Sequence, residues 1–386
     1  MQTRRHRARR ALAILFWHCG GVALLCGSLR ASEYSVTTWG VDEGLPQSSV
    51  TDIAQTPDGF LWIGTLISGI ARFDGVQFVN FDSANTPALA NPGVKRLLVD
   101  SQGNLWVNTG PGSLLLRQGN SFVKVADDLK IGSLVGERLG RIAFTTLEGE
   151  LVLGHHTVDG QWTWQRHKPP QLNYNNYYYY EDHDGVLWFQ APGGKIGRFV
   201  NDHFEVMESP PGLAGQKIQA LATDAAGKIW VGTDTELARW ENGMFTNLSP
   251  HGLKEKISVR RIVPMSGGEF WLEADGKLFF YSHDHWSPPV AEWDSKRAPW
   301  SHFRTLRADN AGGLWISLAD EGLVHVDREG KLVRVTSAEG LPSQLVQAFF
   351  ADHEGNLWAG YHRGGLIQLR KETFPSPGAK GCWTRL

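Results

Sequence analysis

The residues of this chain that are best suited to hold a ligand form a run of tyrosines. The stretch NYNNYYYY, Asn173–Tyr180, places five Tyr within seven residues. A tyrosine ring stacks on the apolar face of a sugar ring while its hydroxyl keeps a hydrogen bond to water or to a sugar hydroxyl. We therefore predict that Tyr174, Tyr177 and Tyr178 bind a neutral or acidic glycan, the alternative being that they are packing residues.

The sequence lacks the short motifs that mark common catalytic centres. It contains no Gly-x-Ser-x-Gly, no His-Glu-x-x-His and no phosphate-binding loop. The histidines that could form a catalytic cluster are His155, His156, His283, His285 and His302. They do not occupy equivalent positions in the repeated segments of the chain, and this favours loop histidines without a shared role. We expect no catalytic residue, no metal site and no cofactor.

A repeated spacing of glycine and tryptophan organises most of the chain. Eight segments resemble PDGFLWIGT, Pro57–Thr65, and each has a glycine three residues before a common position. That position holds Trp62, Trp106, Ala143, Trp188, Trp230, Trp271, Trp315 and Trp358. Successive copies are 37 to 45 residues apart, a period typical of propeller blades or helical solenoids. At Ala143 we expect a neighbour such as Trp162 or Trp164 to fill the missing volume.

The turns between the repeated segments favour a propeller over a solenoid. Five copies contain Asp-x-x-Gly, in which the carboxylate accepts backbone N–H groups and the glycine supplies a positive φ. The apolar runs that follow are rich in aromatic and β-branched residues and too short for paired helices. In the first unit they predict strands at Val50–Gln55, Phe60–Thr65, Ile70–Phe73 and Gln77–Phe81. The predicted fold is an all-β propeller of four-stranded blades, with each Trp wedged between blades and the glycine two residues later leaving room for the next sheet.

The two ends of the repeat region complement each other. YSVTTW, Tyr34–Trp39, corresponds to a fourth strand, whereas the last unit, Leu345–Leu369, has three clear strands and then a Pro-rich stretch. We predict that the N-terminal strand completes the last blade and closes the ring. Eight blades in one ring is the direct count, and seven plus one extra unit is the alternative. The predicted propeller spans residues 32–374, followed by an irregular tail at 375–386.

Further ligand-binding candidates are residues that break the internal consensus on loops predicted to open toward the axis. Two places after the Trp position, where Gly64 stands in the first copy, the tyrosine-rich unit has Gln190. Three other copies have Asn108, Glu273 and Ser317 there. The last unit continues after its Trp with Tyr361, His362 and Arg363, and the last two offer a cationic contact. The predicted ligand site therefore adds Gln190, Tyr361, His362 and Arg363 to the three tyrosines.

The first 31 residues have the composition of an export signal. A basic segment, MQTRRHRARR, precedes 19 apolar or small residues, and Ser28 and Ala31 offer a cleavage site. We predict a signal peptide at residues 1–31, cleaved near 28–31, and a periplasmic or secreted protein; an uncleaved membrane anchor is the alternative. The remaining chain has 32 basic against 40 acidic residues, a balance that argues against nucleic acid as a partner.

One long segment resembles a known family. EGLPQSSVTDIAQTPDGFLWIGTLISGIARFDGVQFVNFD, Glu43–Asp82, is similar to the blade signature of the two-component regulator propellers, the periplasmic sensor portions of hybrid histidine kinases and related receptors. The resemblance rests on Gly-Leu-Pro together with Gly-x-Leu-Trp-x-Gly-Thr and extends over nearly all the chain after the signal. It implies a ligand-sensing propeller, for oligosaccharides in several relatives, normally followed by a β-sandwich, a membrane helix and a cytoplasmic output domain.

The function that the resemblance implies is a periplasmic sensor of a two-component signalling system with an oligosaccharide or small-molecule ligand. The sequence ends at GAKGCWTRL, so a truncated receptor and a freestanding relative are both open. A membrane-bound output partner or further C-terminal domains are expected, and a dimer is compatible with this function. The alternative class is a secreted propeller lyase or hydrolase acting on a polysaccharide or lactone, and a protein-binding scaffold is a third.

Overall fold

The computed structural model describes residues 33–372 except 111, 127–128, 139–140, 158–160, 170–178, 192, 209, 250–255, 284, 288–290, 293–302, 319–321 and 344. Tyr34–Lys371 form one compact unit, and the other unit, Met1–Glu33 with Glu372–Leu386, contributes only Glu33 and Glu372 to the description. The predicted signal peptide and C-terminal tail lie outside the described residues. None of the helices in the described stretches has the length and apolar character needed to cross a membrane.

Almost all described secondary structure is β-strand. In chain order the strands are β1 (Tyr34–Trp39), β2 (Val50–Gln55), β3 (Leu61–Thr65), β4 (Ile70–Phe73), β5 (Phe78–Phe81), β6 (Val94–Val99), β7 (Leu105–Thr109), β8 (Ser113–Gln118), β9 (Ser121–Ala126), β10 (Ile131–Arg138), β11 (Arg141–Thr146), β12 (Leu151–His156), β13 (Trp162–His167), β14 (Tyr179–Glu181), β15 (Leu187–Ala191), β16 (Lys195–Val200), β17 (His203–Met207), β18 (Ile218–Thr223), β19 (Ile229–Thr233), β20 (Leu237–Glu241), β21 (Met244–Asn247), β22 (Val259–Pro264), β23 (Phe270–Ala274), β24 (Lys277–Ser282), β25 (His285–Trp286), β26 (Ala291–Glu292), β27 (Phe303–Ala308), β28 (Leu314–Leu318), β29 (Gly322–Val326), β30 (Leu332–Val335), β31 (Val346–Ala351), β32 (Leu357–Tyr361) and β33 (Leu366–Lys371). Short 3-10 helices occupy Pro87–Leu89, Ser266–Gly268 and Ser337–Glu339.

The strands form eight antiparallel blades arranged in a single ring. Blades 1 to 7 start at β2, β6, β10, β14, β18, β22 and β27, and each contains consecutive strands in chain order, with β26 added beside β24 in blade 6. Blade 8 combines β31, β32 and β33 with β1, which pairs with β33 from Tyr34 opposite Lys371 to Trp39 opposite Leu366. The first strand of every blade contacts the first strand of the next, and β31 contacts β2. The predicted closure by the N-terminal strand is confirmed, and the ring has eight blades instead of seven plus one.

The repeated tryptophans are buried between blades. All seven are 0–3% exposed, and Trp62 packs against Leu97 and Val107 of the following blade. The turn aspartate fixes the indole: Asp100 Oδ2 accepts the Nε1–H of Trp106 at 2.9 Å, while its Oδ1 accepts backbone N–H groups of the turn. The same indole bond joins Asp182 to Trp188, Asp224 to Trp230 and Asp352 to Trp358. The Asp-x-x-Gly turn therefore both shapes the chain reversal and satisfies a buried donor.

The glycine two residues after the tryptophan is required by the spacing of the blades. A Cβ atom on Gly64, Gly232 or Gly360 would lie 2.4–2.5 Å from Cγ1 of the valine that begins the next first strand. Two carbon atoms cannot approach so closely without a steric clash. Only a residue without a Cβ atom therefore allows the second strand to lie this close to the next blade. The predicted role of this glycine is confirmed.

The missing tryptophan at Ala143 is compensated from the next blade. Ala143 is buried and clusters with Tyr179 and Phe189 of blade 4, which are large residues at positions where blade 2 has Leu97 and Val107. These aromatic rings supply the volume that the indole occupies in the other copies.

The expectation that Trp162 or Trp164 fills this wedge is wrong. Trp164 lies over Gly154, which pairs with Ile142, and its side chain therefore stands on the opposite face of the sheet from Ala143. Trp162 packs edge-on against Trp106 of blade 2, with 4.9 Å between the ring centres. Side chains alternate between the two faces of a strand, so both tryptophans fill the wedge toward blade 2 instead.

Because Tyr179 and Phe189 already fill the space beside Ala143, we can predict the effect of placing a tryptophan there, as in the other copies. Ala143→Trp should lower the free energy of unfolding by about 1–3 kcal/mol because an indole would overpack the space taken by Tyr179 and Phe189. Urea unfolding followed by circular dichroism would measure this loss. Ala225→Trp, on an exposed turn, is the matched control and should change stability little, whereas a stable Ala143→Trp variant would show that the wedge is empty.

Ring closure predicts the effect of removing the N-terminal strand. Deleting Glu33–Gly40 should expose the backbone edge of β33, lower the melting temperature and promote aggregation, because an unpaired edge strand pairs with other chains. Thermal melting with light scattering would detect both effects. Tyr34→Phe, which removes one hydroxyl and keeps the strand, should cost far less. A deletion variant with the melting curve of the parent chain would contradict the pairing.

Candidate functional site

The predicted site residues that the structure describes belong to two blades on opposite sides of the ring. Tyr174, Tyr177 and Tyr178 precede β14 of blade 4 and lie outside the described residues. Gln190 lies on β15 of the same blade, and its Nε2 donates to the backbone oxygen of Ile218 in blade 5 at 2.7 Å. Blades 4 and 8 are separated by three blades in either direction. The structure therefore does not bring Gln190 into one pocket with the blade 8 candidates.

The blade 8 candidates follow one another in the loop between β32 and β33. Tyr361 is 1% exposed and its hydroxyl has no hydrogen-bond partner among the described residues; burial raises the pKa of Tyr361. His362 is half-buried, and its Nδ1 is likewise without a partner in the described part of the chain. Arg363 is exposed, has a φ of 61° and donates its backbone N–H to Ser49 Oγ. Ligand binding by these residues stays a prediction.

The position two residues after the tryptophan acts chiefly between blades. Besides Gln190, Asn108 donates its Nδ2–H to the backbone oxygen of Gly132 in blade 3, at 3.4 Å. The acidic member of the set, Glu273, is only 3% exposed, and its Oε1 has no hydrogen-bond partner among the described residues. Polar side chains at this position therefore take the place of the close backbone packing that Gly64 allows.

Glu273 is strongly perturbed by its surroundings. Desolvation raises the pKa of Glu273 to about 7, although the charges of Arg261 and Arg260 on the neighbouring strand oppose the shift. Arg261 is its cross-strand neighbour in the β22–β23 pair. A carboxyl group with this pKa changes charge near neutral pH, inside the ring.

Three charged side chains on first strands, the strands that line the central channel of a propeller, act on one another electrostatically. This axial ion group consists of Asp52 on β2, Arg96 on β6 and Arg307 on β27. Arg96 Nε lies 3.5 Å from Asp52 Oδ2, which also accepts the backbone N–H of Leu97 at 2.8 Å. Asp52 is thus held against the first strand of blade 2 by one charged and one neutral donor.

Arg307 belongs to this group through its charge. The charges of Asp52 and Arg96 both act on Arg307, although blade 7 is separated from blade 2 by blades 8 and 1. Desolvation, followed by the charge of Arg96, lowers the pKa of Arg307, while desolvation raises the pKa of Asp52.

The axial ion group was not among the sequence candidates. Its members lie on first strands, whereas the comparison of repeats followed the second strands and the loops. The usable signal is charge in an otherwise apolar position: the counterparts of Arg307 opposite the tryptophan are Ala54, Leu98, Ala222, Val263 and Phe350. Asp52 and Arg96 correspond to Ala220 and Ala348 in blades 5 and 8, and to the charged Arg261 in blade 6.

Two clefts open between neighbouring blades on the face that carries the Asp-x-x-Gly turns. The first, about 490 Å³, lies between blades 4 and 5 and is lined by His183, Asp184, Trp240 and Glu241 among others. The second, about 310 Å³, lies between blades 7 and 8 beside Tyr34 and His325. Among the described residues, no three His, Cys, Asp or Glu side chains are grouped as metal ligands.

The second cleft contains a buried relay of the kind found in acid–base sites. His325 Nε2 lies 2.7 Å from Asp309 Oδ2, and His325 Nδ1 lies 3.1 Å from the Tyr34 hydroxyl. Desolvation would raise the pKa of Asp309, but hydrogen bonds from His325 and backbone N–H groups outweigh it and lower that pKa. Because both ring nitrogens are engaged within the protein, neither is available to a substrate. The relay anchors the closing strand β1 to blade 7.

The perturbed carboxyl group predicts a pH-dependent stability. Glu273 ionises near its ordinary value of 4.5 when unfolded and near 7 when folded, so the folded chain holds its proton more tightly. The stabilisation of the folded chain by this bound proton is complete below pH ~4.5. As the pH rises through ~7 it is lost, and the free energy of unfolding falls by on the order of 2–3 kcal/mol. Glu273→Gln should therefore match the parent chain at pH 5 and be more stable at pH 8, measured by urea unfolding.

A matched variant separates this effect from a general change in charge. Glu329→Gln removes an exposed carboxylate. The free energy of unfolding of this variant should differ from that of the parent chain by the same amount at pH 5 and at pH 8. If Glu273→Gln behaves in the same way, the carboxyl group of Glu273 is solvated in the folded chain.

Comparison with protein families matches two of the blades. The two component regulator propeller family matches residues 44–66 and 212–235, which cover the approach to the first strand and the first two strands of blades 1 and 5. No protein in a set of curated sequences matches the chain.

Solved structures share the propeller fold at low sequence identity. The extracellular domain of a protein described as a hybrid two component system from B. thetaiotaomicron is 18% identical with a TM-score of 0.54, over 88% of this chain and 42% of that one. A streptogramin B lyase is 16% identical with a TM-score of 0.50, over 88% and 98%. YCF48 bound to D1 peptide is 11% identical with a TM-score of 0.52, over 88% and 98%.

These structural likenesses establish the fold, since lyase, peptide-binding protein and receptor domain all share it. The family match is more specific, because it covers the Gly-Leu-Pro or Gly-Leu approach, the first strand, the turn and the tryptophan strand together. The chain is thus an eight-bladed propeller in which blades 1 and 5 match the model of the two component regulator propeller family.

Proposed function

We propose that this chain is the ligand-binding propeller of a two-component type signal-transduction system and acts in the periplasm or outside the cell. The observation that carries the proposal is the family match in blades 1 and 5. The ring is complete, because β1 closes blade 8. A closed ring presents its loops and axis as a rigid binding surface without unpaired edges.

The proposed setting is a receptor with an output part. The chain spans less than half of the hybrid two component domain that it resembles, 42% of that chain. We therefore propose that signalling requires a membrane-bound output partner or further domains, to which a ligand-dependent change in the propeller is transmitted. The predicted export signal at residues 1–31 supports a location outside the cytoplasm.

We propose an oligosaccharide as the ligand, bound on the face where chain segments lead into the first strands. The support is the tyrosine run before β14, since aromatic rings stack on sugars while their hydroxyls remain hydrogen-bonded. Arg363 is exposed on the same face, because loops between second and third strands share it with the segments before first strands. A cation there suits an acidic sugar.

Binding to a glycan array and then to the best glycan by calorimetry tests this proposal. Tyr174→Ala, Tyr177→Ala and Tyr178→Ala should each weaken binding by about tenfold, the equivalent of ~1.4 kcal/mol per lost stacking contact. The matched Tyr→Phe variants keep the ring and should retain most of the affinity. Unchanged circular dichroism spectra would show that the alanine variants still fold.

Two outcomes would contradict the proposal. A parent chain that binds no glycan would exclude the oligosaccharide ligand, and alanine variants with the parent affinity would exclude the tyrosines as contacts. Release of shorter fragments from a bound polysaccharide would favour the alternative, a secreted propeller lyase or hydrolase. The same incubation, followed by size analysis of the glycan, measures this directly.

A further inference from the structure

One tryptophan of the ring lacks the hydrogen bond that its copies make. The indole N–H of the other six repeated tryptophans has a partner within the protein, which in four blades is the aspartate of the turn. Trp315 of blade 7 is only 2% exposed, yet its Nε1–H has no hydrogen-bond partner among the described residues. Because that atom keeps access to solvent and Trp315 lines the cleft between blades 7 and 8, its acceptor has to come from the cleft.

The indole N–H is left unpaired because a histidine takes its acceptor. Asp309 Oδ2 is the oxygen that accepts the indole N–H in four other blades, and in blade 7 it lies 2.7 Å from His325 Nε2. His325 is the cross-strand neighbour of Trp315 in the β28–β29 pair, with 4.7 Å between the two ring centres. The histidine therefore stands beside the indole and binds the carboxylate in its place.

Blade 2 has the same turn and tryptophan without the histidine. Leu116 stands opposite Trp106 there, at the position of His325. A leucine side chain cannot bind a carboxylate, and Asp100 Oδ2 accepts the Trp106 indole N–H at 2.9 Å. The comparison indicates that one side chain on the third strand determines whether the indole N–H is used inside the blade or is available in the cleft.

The cleft lined by Trp315 combines apolar walls with a cation. Its volume of about 310 Å³ lies in the range of small-molecule sites. Leu357, Leu369 and the ring of Tyr34 belong to the apolar cluster around Trp315 and line the cleft. Lys371 also lines it and is directly opposite Tyr34 in the β1–β33 pair, so both side chains lie on the face toward blade 7. Lys371 is exposed and has no ion-pair partner in the part of the chain that the structure describes.

These groups suit a ligand with one acidic group and an apolar body. The indole N–H and the ammonium group of Lys371 are donors without acceptor capacity, and a carboxylate accepts from several donors at once. The carboxylate inside the cleft, Asp309, is already bonded to His325 and to two backbone N–H groups of its turn. Glu354 is exposed at the rim, and its negative charge disfavours a ligand with a second acidic group.

We propose that the cleft between blades 7 and 8 binds a small monocarboxylic acid with an apolar body, whose carboxylate accepts hydrogen bonds from Trp315 Nε1–H and Lys371. The cleft lies on the face that carries the Asp-x-x-Gly turns, whereas the glycan contacts proposed above lie on the other face, so the two ligands do not compete. Tyr34, which lines the cleft, belongs to β1. A bound acid therefore contacts the strand that closes the ring.

Calorimetric titration of the full chain with sodium benzoate, sodium phenylacetate and sodium hexanoate tests the site, with benzyl alcohol as the neutral comparison. Saturable binding of at least one acid is expected, about tenfold tighter than that of the alcohol. Lys371→Gln should weaken it by about tenfold, because it removes a charge-assisted hydrogen bond. Arg370→Gln is the matched control: it removes one positive charge from the adjacent exposed residue of β33, whose side chain lies on the other face of the blade, and it should bind as the parent does.

The indole N–H gives a second, direct readout. In the chain labelled with ¹⁵N-tryptophan, the nuclear magnetic resonance signal that is missing from Trp315→Phe belongs to the Trp315 indole, and this signal should move most when the acid is added. His325→Leu copies blade 2 and should let Asp309 accept the indole N–H. The Trp315 signal of this variant should therefore be shifted without ligand, and its affinity for the acid should fall by about tenfold. A melting curve confirms that the variant folds.

Four results would overturn the site. They are no saturable binding of any of the three acids, equal affinity for benzyl alcohol, unchanged affinity in Lys371→Gln, and a Trp315 indole signal that stays in place at saturation. The Lys371→Gln result does not depend on His325→Leu, so it decides the question even if that variant fails to fold. The glycan test concerns tyrosines on the other face of the ring, and either proposal can therefore fail while the other stands.

Discussion

The interaction on which the propeller depends is the burial of an indole in seven of the eight blades, with a hydrogen-bond partner for its N–H in six of them. A tryptophan between two blades removes a large apolar surface from water, but an unpaired Nε1–H there would cost much of the gain. Asp100, Asp182, Asp224 and Asp352 solve this by turning one carboxylate oxygen to the backbone and the other to the indole. The turn and the wedge are therefore specified by the same side chain.

The blades that lack this pair show how strictly the donor must be satisfied. Blade 1 has Thr56 in place of the aspartate, and its hydroxyl accepts the Trp62 indole at 2.9 Å. Blade 6 has Met265 at this position, and Trp271 donates instead to the backbone oxygen of Gly312 in blade 7, at 3.1 Å. In blade 7 the aspartate, Asp309, binds His325. In blades 1 and 6 the substitution changes the partner of the indole, and in all three blades the tryptophan stays buried.

This regularity explains why the fold could be predicted from the sequence and the site could not. The bounds of β1, β2 and β4 follow directly from turn chemistry and strand composition, and closure follows from counting strands. The face of the sheet that a side chain occupies depends on the register of a particular pair of strands, which the repeat pattern does not specify. For this reason the prediction that Trp164 fills the wedge at Ala143 is wrong. Gln190 broke the consensus as predicted, yet its amide binds the next blade. A residue that differs from the repeat consensus marks an unusual position, but the difference alone does not show whether its side chain contacts the neighbouring blade or a ligand.

The axial ion group shows what sequence comparison within a repeat protein misses. Asp52, Arg96 and Arg307 lie 44 to 255 residues apart in the chain. Packing of blade 2 on blade 1 brings the first two into contact, and closure of the ring places blade 7 two blades away from blade 1. At Arg307 the first strand carries a cation where its counterparts Ala54 and Leu98 belong to the apolar clusters between blades, and desolvating a charge at such a position costs free energy. The ring stays closed despite that cost because the contacts of tryptophan, glycine and turn, repeated around the ring, hold each blade to the next.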